Sequence, residues 1–190
     1  MSGQRFAEYT PRTPSMFQGA EPLDIRIRMA RQSDVDPVAI ILRERNGGRV
    51  SDYMARLDAP FSVTHNVDQL HVVAEVSGHV VGYGQTSLFE RPEGAPPNAA
   101  PPGWYLSGVN VRRSFRRRGI GKRLTEYRLS WLASRTHEVY YFANAQNEAS
   151  IDLHASLGFV EVTRDFWVPG VGFRGGVGIL FRLTLIAPQE

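Results

Sequence analysis

Apolar and polar positions alternate along several stretches of the chain, and each such stretch predicts a β-strand. In residues 25–30, Ile-Arg-Ile-Arg-Met-Ala, every second side chain is apolar until the last, as in a strand that buries one face. Runs rich in β-branched and aromatic residues predict further strands over 70–76, 80–89, 104–111, 138–143, 158–168 and 177–186. The tight link Ser77-Gly78-His79 is typical of a hairpin between two of them.

Apolar residues at helical spacing predict four helices between these strands. The third is the clearest, because Ile120, Leu124, Tyr127 and Trp131 repeat on one face after Gly119. The others are predicted, in chain order, from about 33 to Gly47-Gly48, over 52–57 and ended by Pro60, and over 147–156. Strands dominate early and late with helices between them, so we predict an α/β protein with a mixed sheet covered on both faces.

Length and composition limit the classes of protein that fit this pattern. The 190 residues suit one α/β domain, which we assign to residues 25–190, with residues 1–24 as an N-terminal extension. The absence of cysteine excludes disulfides, thiolate metal ligands and a cysteine nucleophile, and the five histidines show no paired ligand spacing, so we expect no metal. No apolar run could cross a membrane and no signal peptide is visible, so we expect a cytoplasmic protein without membrane contact.

A basic turn that contains glycine joins the strand 104–111 to the third helix. Its residues are Arg116, Arg117, Arg118, Gly119, Ile120, Gly121 and Lys122. A helix N-terminus carries free backbone N–H groups and the positive end of the helix dipole, and glycines let an anion approach the backbone. The turn matches neither the P-loop nor the dinucleotide pattern, because Arg123 follows Lys122 and Leu124 stands where a third glycine belongs. We interpret it as a phosphate-binding turn.

Two other interpretations of this basic turn stay open. A run of charges is often only a solvated surface, and a Gly-x-Gly pair often only permits a tight turn. A nucleic-acid module is also conceivable, since the net charge is +3 and all basic residues except Lys122 are arginines. Nucleic-acid binders usually spread basic charge over a whole face, whereas here it is confined to one turn, so we do not favour that partner.

Two stretches of the chain resemble the GCN5-related N-acetyltransferase (GNAT) family. The pattern Arg116-x-x-Gly119-x-Gly121 directly follows a strand and resembles the family's acetyl-coenzyme A motif, Gln/Arg-x-x-Gly-x-Gly/Ala. The stretch from Asn147 to Gly158-Phe159 resembles the second signature, with an asparagine and a closing Gly-Phe at the family's spacing. The two stretches also stand in the family's order and about its distance apart.

This resemblance implies a single GNAT-like domain whose mixed, mostly antiparallel sheet has about six to seven strands and is flanked by about four helices. The fourth and fifth strands would splay apart around the pantetheine arm of acetyl-coenzyme A, which serves as co-substrate. The implied cofactor contacts are the backbone of Val109, Asn110 and Val111 with pantetheine and the thioester, the amides from Arg117 to Lys122 with pyrophosphate, the positive charge of Arg116, and Asn147 with the cofactor arm.

The implied activity is direct transfer of an acetyl group to the amine of a small molecule, a peptide or a protein. His154 stands where the family has a tyrosine regarded as the proton donor, so His154 is the predicted catalytic residue, with a rate inflection expected between pH 6 and 7. The strand 104–111 carries no carboxylate to act as a base. Glu75 and Glu90 lie on neighbouring strands, but we assign neither as the base.

The sequence leaves several features of the function open. A non-catalytic domain that senses acetyl-coenzyme A is the main alternative to the enzyme, and the chain could also form a homodimer. The proline-rich segment 91–103 and the glycine-rich segment 169–178 are expected to border the acceptor pocket. The acceptor itself is not identified by any motif.

Overall fold

A single sheet of seven strands organises the part of the chain that the computed structural model describes, residues 23–62, 68–173 and 175–185. Most of the predicted N-terminal extension, residues 1–22, lies outside these ranges. The strands are β1 (Ile25–Met29), β2 (Gln69–Val76), β3 (His79–Phe89), β4 (Gly103–Val111), β5 (Glu138–Asn144), β6 (Val160–Thr163) and β7 (Gly178–Thr184). Their order across the sheet is β1-β2-β3-β4-β5-β7-β6, and only the β4–β5 pair is parallel.

Helices cover both faces of the sheet, as the sequence predicts. They are α1 (Val35–Asn46), α2 (Val50–Ser62), α3 (Ile120–Leu132) and α4 (Glu148–Ala155). On one face, α1 and α2 pack on Val73, Val80 and Tyr83. On the other face, α3 packs on the alternate residues of β2 and, together with α4, on β5 and β7. The α/β class, the mostly antiparallel sheet of seven strands and the four helices among the described residues confirm the predicted fold.

The middle of β2 is apolar without alternation because both of its faces are buried. In β2, Val72 and Ala74 face α3, whereas Val73 between them faces α1. The hairpin between β2 and β3 turns on Ser77 and Gly78, whose φ angles of 49° and 78° suit a two-residue turn that follows the twist of the strands. The predicted hairpin is therefore confirmed.

Two predicted element bounds are wrong. The second helix runs from Val50 to Ser62, past Pro60, because Leu57 and Phe61 lie one turn apart and are both buried against α1. The sixth strand ends at Thr163 and does not reach residue 168. Instead, Trp167 leaves the sheet and exchanges backbone hydrogen bonds of 2.9 Å with the segment 98–100.

The parallel strands β4 and β5 diverge, and this divergence creates the site. They pair at only two positions, Trp104 with Val139 and Tyr105 with Tyr140. Beyond Tyr105, the side of β4 that faces β5 has no strand partner, although β4 continues to Val111. The splay that the family resemblance implies is thus present between the fourth and fifth strands.

Candidate active site

A cavity of about 470 Å³ opens where β4 and β5 diverge. Both strands, α4, the end of α1 and the segment 170–173 contribute to its wall. Four of the residues predicted from the sequence line it, namely Val109, Asn110, Asn147 and His154. Gly170 to Phe173 of the glycine-rich segment line the cavity, whereas no residue of the proline-rich segment 91–103 is among the described lining residues.

A β-bulge at Gly108 shapes the β4 side of the cavity. Gly84 pairs with Val109 but Gln85 pairs with Ser107, so Gly108 is an extra residue in the ladder. Its φ angle is +53°, and a Cβ atom there would lie 3.1 Å from Nδ2 of Asn110. The backbone conformation therefore favours glycine at this position, and a Cβ would also crowd the side chain of Asn110. The bulge and the absence of a strand partner leave backbone groups near Val109 available to a ligand.

The turn before α3 presents a row of free backbone donors. Among the described residues, no carbonyl and no side chain accepts a hydrogen bond from the amides of 117–122. Gly119 is the N-cap residue of α3, with a φ angle of 78°, and no atom lies within 4 Å of where its Cβ would stand. Arg117 also has a positive φ angle, 65°, which is uncommon for a residue other than glycine. These features are typical of a backbone site for phosphate.

The basic side chains of this turn have different roles. Nε of Arg116 donates a hydrogen bond of 3.0 Å to the carbonyl oxygen of Val111, which ties the turn to the end of β4. Arg117 and Arg118 are exposed. Lys122 lies 3.8 Å from Glu126 in an exposed pair, which contributes little to stability. None of these residues lines the cavity, so the turn and the cavity are adjacent sites joined by the end of β4.

Asn147 is placed as an N-cap residue, but its side chain does not cap α4. The backbone of Asn147 instead accepts hydrogen bonds from the amides of Ser150 and Ile151. Its side chain lines the cavity without a hydrogen-bond partner among the described residues. A simple capping function therefore does not explain this asparagine.

His154 is buried in the cavity wall, with 3% of its surface exposed. Its Nδ1 lies 2.8 Å from the carbonyl oxygen of Ser150, and its ring stacks on Tyr141 with the centroids 3.8 Å apart. Because a carbonyl only accepts, Nδ1 carries the proton and Nε2 is left as an acceptor. Burial, together with the positive charge of Arg128, lowers the pKa of His154 to about 4, although the hydrogen bond to Ser150 acts in the opposite direction. The imidazole is thus neutral at pH 7, and this pKa does not support the predicted rate inflection between pH 6 and 7.

Arg128 is a site residue that the sequence interpretation missed. Its side chain is fully buried, and its guanidinium donates to the carbonyl oxygens of Gln85 at 2.7 Å and Leu124 at 3.2 Å. It has no carboxylate partner among the described residues, and burial lowers its pKa to about 9. The signal in the sequence was its position four residues after Leu124 and four before Leu132, inside the buried stripe of α3. We placed Tyr127 and Trp131 in that stripe, but both are only partly buried.

Neither glutamate considered as a base lines the cavity. Glu75 forms an ion pair of 2.9 Å with Arg28 in β1, and Glu90 is exposed. No aspartate or glutamate is found among the described residues that line the cavity. In the described ranges, no three acidic or histidine side chains are grouped so that they could hold a metal ion, and every helix is too short or too polar to span a bilayer.

A comparison with protein-family models identifies the family of this chain. The model of the acetyltransferase (GNAT) family matches residues 36–159. No curated protein sequence matches the chain. Among solved structures, yncA from Salmonella typhimurium, determined with its cofactor acetyl-CoA, has a TM-score of 0.63 at 21% identity and covers 87% of this chain and 96% of its own.

Two further structures have the same fold. A phosphinothricin acetyltransferase from Sinorhizobium meliloti in complex with AcCoA has a TM-score of 0.63 at 20% identity, covering 85% of this chain and 88% of its own. A ribosomal-protein-alanine N-acetyltransferase from Brucella melitensis has a TM-score of 0.61 at 23% identity. The match covers 84% of this chain and 99% of the Brucella chain. The family model spans the diverging strands, the turn before α3 and all of α4, and the chain therefore belongs to the GNAT acetyltransferase family.

Proposed function

We propose that this chain transfers the acetyl group of acetyl-coenzyme A directly to the amine of an acceptor, with residues 25–190 as the catalytic domain. One observation carries the proposal. The free amides of 117–122 and the cavity between β4 and β5 lie at the two ends of one short segment, 109–116. A phosphate site next to a narrow cavity suits a cofactor that has a pyrophosphate and a long arm ending in a thioester.

The residues of the site fit acetyl-coenzyme A. The amides from Arg117 to Lys122 would hold the pyrophosphate, and the open space at Gly119 lets an anion reach the backbone. Backbone groups of Val109, Asn110 and Val111 would bind the pantetheine arm and the thioester oxygen, because no strand pairs with that side of β4. The free side chain of Asn147 would donate to the arm from the opposite wall. In this proposal, Arg116 positions the turn and leaves the phosphates to the backbone.

The proposed chemistry is acyl transfer without a covalent enzyme intermediate. The amine nitrogen attacks the carbonyl carbon of the thioester, the carbon–sulfur bond breaks, and the proton lost by the nitrogen ends on the thiolate. Backbone N–H groups of β4 would stabilise the oxyanion as it forms. The neutral His154 would accept the amine's proton at Nε2 and return it to the sulfur, which is a favourable step for an imidazolium whose pKa is about 4.

One observation favours a second candidate, a domain that binds acetyl-coenzyme A without turnover. No carboxylate lines the cavity among the described residues, and a histidine with a low pKa is a weak base. Such a sensor would bind the cofactor but would not consume it. The two candidates therefore differ in the release of thiol and not in cofactor affinity.

The test is to measure thiol release from acetyl-coenzyme A with a panel of amines, together with the melting temperature. Acetyl-coenzyme A and coenzyme A should both raise the melting temperature, by mass action on the folded state, and ATP or NAD much less. Release of thiol that depends on an added amine supports the transferase. Stabilisation without release from any amine would favour the sensor. Equal stabilisation by ATP and NAD would mean a general anion site.

A further inference from the structure

An arginine without a counter-ion lines the cavity. Arg45 lies in the last turn of α1 and is partly buried. Across residues 23–62, 68–173 and 175–185, its guanidinium has no hydrogen-bond or ion-pair partner. By contrast, Arg28, which is also partly buried, contacts Asp34 at 2.6 Å and Glu75 at 2.9 Å. Buried charges are normally paired, so an unpaired guanidinium in a cavity wall is suited to an anionic ligand.

The surroundings of Arg45 leave its positive charge without compensation. The described cavity wall contains no carboxylate. Burial lowers the pKa of Arg45, and the positive charge of Arg116 lowers it further, although an arginine stays protonated at neutral pH. The free amides of 117–122 are not part of the cavity wall, whereas Gly170 to Phe173 are. Arg45 thus lines the same cavity as the glycine-rich segment, with Arg116 of the basic turn close enough to act on its charge.

A second unpaired polar group lies in the same cavity. Asn110 is 6% exposed, and its Oδ1 has no hydrogen-bond partner although the atom is buried. An amide oxygen can only accept, so it is complementary to an N–H donor. A buried acceptor without a donor is rare in folded proteins and calls for an explanation. That oxygen is itself inaccessible, so the group that the cavity offers to a ligand is the guanidinium of Arg45. The aromatic rings of Phe142 and Phe173, whose centroids are 6.0 Å apart, also line the cavity.

We propose that the acceptor is an amine that also carries a negative group, a carboxylate or a phosphonate, with Arg45 binding the anion. This inference rests on the proposed transferase function and names its substrate class. The guanidinium forms paired hydrogen bonds with the two oxygens of the anion, which orients the rest of the molecule. With its anion at Arg45, the acceptor lies in the same cavity as the β4 backbone, where the thioester is expected.

The first test compares matched acceptors. Amino acids and aminoalkyl phosphonates are each paired with an analogue that keeps the amine but lacks the negative charge, such as the amino-acid amide. We expect kcat/KM to be roughly tenfold to a hundredfold higher for the charged member, which is the range for hydrogen bonds between charged groups. The carboxylate and phosphonate series show which anion the site prefers. Equal rates within the pairs, or acetylation only of amines without an anion, would overturn the proposal.

Variants of Arg45 locate the anion site. Arg45→Gln should remove the preference mainly by raising KM for the charged acceptor, leaving the uncharged partner unaffected, and Arg45→Lys should keep part of the preference. Arg43→Gln is the matched control, because Arg43 is exposed in the same turn of α1. Coenzyme A affinity, measured by calorimetry, should be unchanged in all three. A loss of coenzyme A affinity in Arg45→Gln would assign Arg45 to the cofactor and overturn the proposal.

Failure of this inference and failure of the proposed function give different results. If coenzyme A binds but no amine of any kind releases thiol, the transferase proposal fails and the acceptor class fails with it. If amines are acetylated but Arg45→Gln changes nothing beyond Arg43→Gln, the transferase stands and only the acceptor class is wrong. Folding of each variant is checked by its melting temperature with and without coenzyme A.

Discussion

At the scale of single residues, Gly119 shows how backbone conformation creates a binding surface. Its φ angle of 78° is one that residues with a Cβ rarely adopt, and the space beside it is open. The same conformation starts α3 and turns the preceding amides outward without intramolecular partners. A side chain at this position would both strain the turn and occupy the approach of an anion.

We expect Gly119→Val to weaken coenzyme A binding by roughly tenfold to a hundredfold, because one or two hydrogen bonds to a charged group would be lost. Gly94→Val is a matched control, since Gly94 has a φ angle of 72°, has open space around it and lies away from the cavity. Both variants should lose similar stability, because the backbone strain is the same. Calorimetric titration with coenzyme A distinguishes them, and equal affinity losses would place the phosphate site elsewhere.

His154 shows how burial changes a residue's chemistry. We expect His154→Phe to lower kcat by roughly tenfold to a thousandfold, the usual range for acid–base assistance, with coenzyme A affinity within a few fold. Between pH 6 and 7 the wild-type rate should show no inflection due to His154, because burial lowers its pKa to about 4. His154→Tyr should recover part of the rate through its hydroxyl.

The control for this variant is His71→Phe. His71 is also partly buried with a pKa lowered to about 4, but it contacts Tyr83 at 2.8 Å and does not line the cavity. Its substitution should leave kcat nearly unchanged. If kcat in His154→Phe were also unchanged, His154 would be a packing residue only. An inflection between pH 6 and 7 that disappears in His154→Phe would show that the imidazole titrates normally.

At the scale of elements, α3 is fastened to the bulged strand by Arg128. This residue fills the space opposite Gly84, where a Cβ would lie 3.2 Å from its guanidinium, and it donates to the carbonyl of Gln85 beside the bulge. The β-bulge removes a regular ladder partner, and the guanidinium replaces it. The helix that begins at the phosphate turn therefore also holds the strand that is expected to bind the thioester.

We expect Arg128→Met to destabilise the fold by about 1–3 kcal/mol, because buried carbonyls lose their donor, while relief of the buried charge offsets part of the loss. It should also reduce kcat more than Arg128→Lys, since lysine keeps a donor near Gln85. Urea unfolding and steady-state kinetics measure the two effects. Full activity of Arg128→Met at wild-type stability would show that the bulge is held by β3 and β4 alone.

At the scale of the whole molecule, two histidines with pKa values lowered by desolvation, His71 and His154, link stability to pH. The pKa of His71 and that of His154 are both lowered to about 4 from 6.5. The unfolded chain therefore binds protons below about pH 6.5 before the folded state does, so stability is complete above 6.5 and falls as the pH falls toward 4. Acidification should thus weaken the fold on both faces of the sheet.

When the pH falls from 7 to 5, we expect each histidine to account for a loss of roughly 2 kcal/mol in the free energy of unfolding. Urea unfolding at the two pH values measures this loss in the wild type, in His71→Phe and in His154→Phe. Each single variant should lose about half of the wild-type pH dependence. Identical pH dependence in wild type and His154→Phe would mean that His154 is protonated in the folded state.

The amino-acid sequence by itself determined those features that depend on neighbouring residues. The period of apolar side chains places the strands and helices, and the junction of strand, basic turn and helix around Gly119 is a local property of consecutive residues. For the same reason, Val109, Asn110, Asn147 and His154 could be proposed from two short stretches. The ends of α2 and β6 could not, because they depend on what Phe61 and Trp167 contact.

Only the tertiary structure decided which distant residues share the cavity and what state they are in. Arg45 comes from α1 and Tyr141 from β5, and no local pattern links either of them to the motif around Gly119. Arg128 carries a charge, yet its side chain is buried, because the bulge in β4 leaves carbonyl oxygens that its guanidinium can bind. The ordinary pKa of histidine suggested titration near neutrality, whereas the desolvation of His154 in the cavity wall, beside Tyr141 and near the charge of Arg128, makes it neutral. Burial and long-range packing, which no short stretch of sequence encodes, account for these differences.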